Sequence, residues 1–101
     1  MWVAAYMRRL DLEAIAVVVE ARGDATAGAI IVRLSTLDGQ AKAFHRVTDL
    51  DLGRRWDVLA EGTEAEVDET ISRQRSFDPD LWVIALEDRF GRHMLDLPGL
   101  E

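Results

Sequence analysis

One short stretch constrains the fold of this chain more than any other feature: residues 81–86, Leu-Trp-Val-Ile-Ala-Leu. A strand that covers a core with one face alternates apolar and polar side chains, whereas this stretch is apolar at odd and even positions alike. Both of its faces should therefore be covered, which predicts a central strand. Pro79 stands shortly before it, and because the residue preceding a proline is disfavoured in helical geometry, we expect a helix to end near Asp78.

Two other segments have helical patterns. Apolar side chains recur at i, i+3, i+4 and i+7 within residues 2–13, which predicts an amphipathic helix. Thr63 followed three residues later by Glu66 is a capping-box pattern, so a second helix should begin there and end near Arg75. Acidic residues crowd its first turns and arginines its last, an arrangement that suits the helix dipole.

Runs rich in β-branched residues at 15–21 and 29–37 predict the first two strands. The loop between them, residues 22–28, has a glycine near each end, and we interpret it as a hairpin connection whose glycines permit positive φ. Asp38-Gly39 is a strong signal for a second, tight hairpin. It should lead into an antiparallel third strand over residues 41–47.

The third strand alternates polar and apolar side chains and is expected near an edge of the sheet. Residues 48–53 are interpreted as an irregular connection, followed by a short fourth strand around residues 56–60. After the central strand, a turn at 88–91 should return the chain into a last short strand, residues 92–95. The predicted order is α-β-β-β-(β)-α-β-β: an α+β domain with a mostly antiparallel sheet of about five strands and both helices packed on one face.

Composition narrows the possible functions. The chain has 101 residues, and we expect a single domain over residues 1–101. Nineteen acidic against twelve basic side chains give a net charge of −7, which repels phosphates and predicts no nucleic-acid partner. The absence of cysteine excludes a disulfide framework and suits a reducing, cytoplasmic location. No apolar run approaches the ~20 residues needed to cross a bilayer, so we expect no membrane partner.

Two enzymatic interpretations stand as alternatives to a binding module. The first is a metal-dependent nuclease, because Pro79-Asp80 followed by Glu87-Asp88-Arg89 superficially resembles the PD-(D/E)xK signature. Its two carboxylates would lie about 23 Å apart on one extended strand, too far to share a metal. The second is a small hydrolase using His45 or His93, although no nucleophile elbow or metal-binding histidine pair is present. We therefore predict no catalytic residue, no metal and no cofactor.

Our main hypothesis is a binding or regulatory module for a protein or a small anionic ligand. Several arginines stand near the ends of different elements, and convergence beside Trp2 or Trp82, in a groove between the helices, would make an anion or peptide-carboxylate pocket. The candidate ligand-binding residues are Arg8, Arg9, Arg22, Asp24, Arg73, Arg75 and Trp82. The competing interpretation is that the tryptophans fill the core and the arginines pair with carboxylates. A monomer and a homodimer joined at a sheet edge are both compatible with the pattern.

Particular residues also carry a family resemblance. They are the run 2–9, the stretch 16–30 around Arg22-Gly23-Asp24, and above all residues 73–92, which contain Arg73-Gln74-Arg75, Asp78-Pro79-Asp80-Leu81-Trp82-Val83 and Glu87-Asp88-Arg89. Over nearly its whole length the chain resembles the DUF1491 family, small proteins found mainly in alphaproteobacteria. The resemblance implies a bacterial cytoplasmic protein. Because the family is named for having no known function, it implies no reaction and no catalytic residue.

Overall fold

The computed structural model describes residues 2–24, 28–51 and 53–96. These residues form two helices and five strands: α1 (Trp2–Leu12), β1 (Ala16–Ala21), β2 (Ile30–Ser35), β3 (Gln40–Asp49), β4 (Gly53–Thr63), α2 (Glu64–Phe77) and β5 (Trp82–Glu87). The described strands make one sheet in which β2 and β5 are parallel and the other neighbours are antiparallel. The predicted α+β class, with two helices and a mostly antiparallel sheet of five strands, is confirmed.

β5 lies in the interior of the sheet, as its apolar sequence predicts. The strand order is β1-β5-β2-β3-β4, so β5 pairs antiparallel with β1 on one side and parallel with β2 on the other. Its buried side chains lie at odd and even positions alike: Trp82, Val83, Ile84 and Leu86. Both faces of the strand are therefore covered.

The two helices lie on opposite faces of the sheet, so the predicted packing of both on one face is wrong. Residues of α1 share a core with even-numbered residues of the central strands, including Val32 and Ile84. Residues of α2 share a second core with odd-numbered ones, including Ile31 and Val83. Successive side chains of a strand point to opposite faces, so these cores lie on opposite sides. A strand apolar on both faces requires this arrangement, because a one-sided layout would leave a row of large apolar side chains in water.

α2 begins where the capping-box pattern predicts and ends two residues later than expected. The Thr63 hydroxyl oxygen accepts a hydrogen bond from the Glu66 N–H at 3.2 Å, and the Glu66 carboxylate accepts one from the Thr63 N–H at 3.3 Å. The helix ends at Phe77, and the N–H of Asp78 donates to the Gln74 carbonyl at 3.0 Å. The proline that follows delivers the chain into β5.

The connection between β1 and β2 is a crossover rather than the predicted hairpin, because β5 lies between these strands. Its residues 25–27 lie outside the described part of the chain. The two glycines serve close approach rather than positive φ. A Cβ on Gly28 would lie 2.6 Å from the carbonyl oxygen of Asp80, and a Cβ on Gly23 would collide with the same oxygen.

β3 and β4 form a long antiparallel hairpin that the sequence pattern did not reveal. β3 lies between β2 and the edge strand β4, so it is near an edge without forming one, and β4 has 11 residues rather than a few. The predicted irregular connection 48–53 shortens to residues 50–52, because β3 extends to Asp49. The Asp38-Gly39 hairpin is confirmed by the antiparallel pairing of β2 with β3 and by a φ of +88° at Gly39.

The chain after β5 does not return as the predicted last strand. Residues 88–96 run without strand pairing and pack onto the α1 face, where Leu95 is buried in the core. The amide of Asp88 donates to the Ser35 carbonyl at 3.0 Å, and the Tyr6 hydroxyl donates to the His93 carbonyl at 2.6 Å. We call residues 88–96 the C-terminal segment. Neither helix of the described chain is long and apolar enough to cross a membrane.

Candidate functional site

The arginines predicted to converge fall into groups on different parts of the molecule. Arg8 and Arg9 are exposed on α1, whereas Arg73 and Arg75 are exposed on α2, on the other side of the sheet. No groove between the helices can hold both pairs, because the sheet separates them. Of the seven candidate residues, the structure brings together Arg22, Asp24 and Trp82, and the binding role of all seven stays a prediction.

Trp82 joins the β1–β2 crossover to the start of β5. Its indole N–H donates to the backbone carbonyl of Asp24 at 2.8 Å, and its own amide donates to the Ala29 carbonyl at 2.8 Å. The Arg22 guanidinium lies over the indole ring, with Cζ 5.9 Å from the ring centroid. The ring itself is only 5% exposed. This geometry fits the competing interpretation that Trp82 fills the core, since its polar atom is already bound by the protein.

A second group of aromatic residues lies where α1 meets the β3–β4 hairpin. Trp2 stacks on Tyr6, one turn later in α1, with ring centroids 4.7 Å apart, and its ring lies 5.3 Å from that of Trp56. Arg46 and Trp56 are direct cross-strand partners. The Arg46 guanidinium carbon lies 5.5 Å from the Trp2 ring and 5.7 Å from the Trp56 ring. Such cation–π contacts hold the guanidinium in place.

Arg54 adds a second positive charge beside this group. It pairs with Thr48, two residues along the hairpin from the Arg46 and Trp56 pair, and therefore shares their face of the sheet. Partial burial lowers the pKa of Arg46, and repulsion from Arg54 lowers it further. Arg54 has no ion pair with any carboxylate in the described ranges, whereas its neighbour Arg55 contacts Asp57 at 3.0 Å. We call Trp2, Arg46, Arg54 and Trp56 the basic aromatic cluster.

Two cavities open beside the hairpin on this face. One, of about 320 Å³, is lined by Phe44, Arg54, Arg55, Trp56, His93, Leu95 and Asp96. The other, of about 440 Å³, is lined by Leu34, Thr36, Gln40, Ala41, Lys42, Phe44, Glu61, Gly91 and His93. Phe44 and His93 belong to both, with ring centroids 4.7 Å apart. The first cavity has the basic aromatic cluster at its border, whereas the lysine of the second is paired with Glu61 at 3.0 Å.

The C-terminal segment forms the outer wall of both cavities, and two side chains fix its shape. The Asp88 carboxylate accepts hydrogen bonds from the Arg92 amide at 2.7 Å and from the Arg92 guanidinium at 3.0 and 3.2 Å. These hydrogen bonds, the guanidinium ones first, hold the pKa of Asp88 below its usual range. Nδ1 of His93 accepts from the Leu95 amide at 3.0 Å, which leaves Nε2 as the protonated nitrogen of the neutral ring. Burial lowers the pKa of His93 and so favours that neutral form.

The described residues contain no arrangement that supports either enzymatic alternative. Asp80 precedes β5 and Glu87 ends it, so the two carboxylates of the nuclease-like pattern lie at opposite ends of one strand. Within residues 2–24, 28–51 and 53–96, no group of three or more histidine, aspartate or glutamate side chains could hold a metal ion. His93 has its Nδ1 occupied by a backbone amide, so this nitrogen is not available as a general base.

Sequence reasoning missed Arg46, Arg54 and Trp56, because it did not recognise the hairpin that brings them together. The signal that could have revealed them is the even numbering of four aromatic or basic residues on the two sides of a turn. Residues 44, 46, 54 and 56 are aromatic or basic, and a turn near residue 51 places all four on one face of two paired strands. Trp2, expected as the aromatic wall of a pocket, lies beside Arg46 rather than beside any of the predicted arginines, and its role in binding stays a prediction.

Comparisons with known proteins agree with the fold. The profile of the DUF1491 family, described as a protein of unknown function, matches residues 1–96. A crystal structure of a DUF1491 family protein from Caulobacter crescentus CB15 is 39% identical, with a TM-score of 0.85 over 94% of this chain and 91% of that chain. An NMR structure of a DUF1491 family protein from the same organism is also 39% identical, with a TM-score of 0.81 over 94% of this chain and 88% of that chain.

The solution structure of protein Atu0922 from A. tumefaciens is 30% identical, with a TM-score of 0.74 over 86% of this chain and 81% of that chain. A comparison with curated proteins gave no match. The resemblance inferred from the sequence is confirmed, since the family profile and the solved structures agree over nearly the same residues. The chain belongs to the DUF1491 family, to which no specific function is assigned.

Proposed function

We propose that this protein is a non-enzymatic binding module that takes a small carboxylate ligand with an apolar body. The site is the cavity of about 320 Å³ beside the basic aromatic cluster. One observation carries the proposal: the hairpin register places Arg46 and Arg54 on one face of the sheet, beside Trp56 at the border of this cavity. Two guanidinium groups on the same face attract an anion that contacts both of them.

The chemistry of the cluster suits a carboxylate. Guanidinium groups bind carboxylates through two parallel hydrogen bonds, and the indole rings beside Arg46 restrict its motion before any ligand arrives. Partial burial strengthens the attraction, because the local dielectric is lower than that of water. Phe44, Trp56 and Leu95 supply apolar surface for the rest of the ligand. A volume near 300 Å³ is at the lower end of the range for small-molecule sites.

The remaining charges limit the size and charge of the ligand. Asp96 lies on the same cavity, and the chain as a whole carries −7. A polyanion would meet repulsion beyond the two arginines, whereas a single carboxylate would not. The proposed ligand is therefore monoanionic, with its carboxylate at Arg54 and its apolar part toward Phe44. A cytoplasmic location, expected from the cysteine-free sequence, belongs to the same proposal.

NMR titration of the ¹⁵N-labelled protein tests the proposal. Benzoate and hexanoate are the probes, and benzamide and hexanamide are the matched neutral compounds. We expect the carboxylates to shift the indole N–H signals of Trp2 and Trp56 and the amides to leave them unmoved. Arg54 is the residue to change, because it is exposed and its loss should not disturb the fold.

The variant Arg54→Gln should bind the carboxylates at least about tenfold more weakly, the size of one lost charge-assisted contact. The control Arg73→Gln removes an exposed arginine from α2, on the opposite face, and should bind as the wild type does. Equal binding of acids and amides, or equal weakening in both variants, would overturn the proposal.

A further inference from the structure

The two outer strands of the sheet protect their free edges to different degrees. β4 carries Arg54, Arg55, Asp57 and Glu61, and a bulge at Leu59 interrupts its pairing with β3. Charges and bulges of this kind are devices that keep an edge strand from pairing with another chain. β1 has the sequence Ala-Val-Val-Val-Glu-Ala and contains no lysine or proline. Its one charged residue, Glu20, lies at a bulge between Val19 and Ala21, so these two devices protect one end of the strand and leave residues 16–19 without either.

The face of the sheet beside β1 is also open on the side of α2. That helix lies mainly on β3 and β4, and the core beneath it reaches Ala21 at the end of β1 but does not include Val18. Val18 is 57% exposed there, in the same row as Ala85 of β5 and Arg33 of β2. A shallow cavity of about 270 Å³ lies over these three residues. The free edge at residues 16–19 is thus continuous with an open surface formed by Val18 and Ala85 and bordered by the charged side chains of Arg33 and Glu20.

We infer that a second copy of the chain pairs with β1 in antiparallel fashion about a two-fold axis at Val18, forming a continuous sheet of ten strands. An axis perpendicular to the sheet keeps each face of β1 on the same side in both copies. Val18 then lies opposite Val18 of the second copy, and Val17 lies opposite Val19. The exposed valine is covered by its own equivalent.

The position of the exposed Val18 favours this register. With the axis at Val18, Glu20 lies opposite Ala16 of the second copy, so no two carboxylates meet. With the axis at Val19, Glu20 would instead lie opposite Val18, so the exposed valine would meet a carboxylate rather than another valine. Of these two registers, the one centred on Val18 therefore gives the exposed valine an apolar partner. Two-fold pairing also occupies the free β1 edge of each copy. The charged and bulged β4 edges oppose further growth, so the assembly closes as a dimer.

The absence of cysteine allows a site-specific test. Val18→Cys introduces a single thiol that meets its equivalent across the proposed axis, and Val58→Cys introduces one on the β4 edge, where the native valine is 50% exposed. Opposed residues of paired strands have Cβ atoms close enough for a disulfide. Under mild oxidation we expect Val18→Cys to form disulfide-linked dimers at least about tenfold faster than Val58→Cys, because one pair is held together and the other meets only by collision.

Light scattering after size exclusion provides the second readout, on the wild type and on Val18→Lys and Val58→Lys. We expect a dimer with a Kd of roughly 1–100 µM for the wild type, as is usual for a small interface. The lysine at Val18 should give a monomer with an unchanged circular dichroism spectrum, and the lysine at Val58 should leave the dimer intact. A monomeric wild type, equal cross-linking rates, or a dimer that survives Val18→Lys would each overturn the inference. None of these outcomes depends on whether a carboxylate binds at the basic aromatic cluster.

Discussion

Gly23 shows how a single residue can be required for the space it leaves rather than for its backbone angles. A Cβ there would collide with the main-chain carbonyl of Asp80 and lie 2.7 Å from Cδ1 of Trp82. That carbonyl cannot withdraw freely, because it accepts the hydrogen bond of the Asp24 amide at 3.0 Å. We expect Gly23→Ala to lower the free energy of unfolding by about 2–4 kcal/mol, the size of a severe packing defect.

Gly39→Ala is the control for that substitution. Gly39 has open space around its Cα but a φ of +88°, so the cost should be about 1 kcal/mol, from backbone strain alone. Urea unfolding of both variants gives the comparison. Equal losses of stability at the two glycines would contradict the steric explanation.

A second prediction at the residue scale concerns Asp88 and the dependence of the free energy of unfolding on pH. Hydrogen bonds from Arg92 lower the pKa of Asp88, and a lowered carboxyl pKa adds stability that is present above the unfolded value of ~3.9 and lost as the pH falls through the folded value. Asp88→Asn should therefore cost roughly 1–3 kcal/mol at neutral pH. The difference from the wild type should begin to narrow as the pH falls below about 4 and should disappear below the folded pKa of Asp88.

The measurement is urea unfolding of wild type and variant across that pH range. Asp11→Asn, at an exposed position of α1, is the control and should show little difference at any pH. A gap for Asp88→Asn that stays constant down to strongly acidic pH would show that the carboxylate charge is not what stabilises the C-terminal segment.

At the scale of elements, interior β5 and outer β4 should respond differently to the same truncation. Ile84 of β5 is fully buried between β1 and β2, whereas Val58 of β4 is 50% exposed. Ile84→Ala should cost about 2–5 kcal/mol, because it leaves a cavity in the core under α1. Val58→Ala should cost no more than about 0.5 kcal/mol. Chemical denaturation distinguishes these values, and similar losses in both strands would contradict the interior position of β5.

The same contrast explains which elements the sequence could predict. The buried environment of residues 81–86 can be inferred from their own sequence, because burial on both faces requires an apolar side chain at every position. The position of β5 between β1 and β2 is a long-range pairing that no local pattern encodes. The consequences are the mistaken hairpin at 22–28 and the mistaken placement of both helices on one face.

The candidate site was harder to predict for a related reason. Its arginines and tryptophans come from α1 and from two strands whose register sets the face that each side chain occupies. If residues 48–53 are interpreted as an irregular connection, the pairing between the two strands is unknown. Without that pairing, Arg46 is only one polar residue of an alternating strand and Trp56 only one residue of a short strand, and nothing indicates that they share a face. The aromatic wall at Trp2 could still be proposed, because i, i+3, i+4 spacing is visible within a single helix.

At the scale of the whole molecule, the net charge gives the two proposals opposite dependences on salt. Each copy carries −7, so pairing two copies brings together bodies that repel, and added salt screens that repulsion. The dimer should therefore become tighter between low and physiological ionic strength, by about threefold to tenfold in Kd. Carboxylate binding at Arg46 and Arg54 is an attraction between opposite charges, and the same salt should weaken it by a similar factor.

Analytical ultracentrifugation measures the first dependence and NMR titration with benzoate the second, on the same samples. A control for the dimer is Glu20→Gln, which removes one negative charge from each copy close to the proposed axis and should tighten the dimer most at low salt. If dimerisation instead weakened with salt, attraction between unlike charges would hold the copies together, and the valine-lined β1 edge would not be the interface. If benzoate binding were indifferent to salt, the two arginines would not be its binding groups.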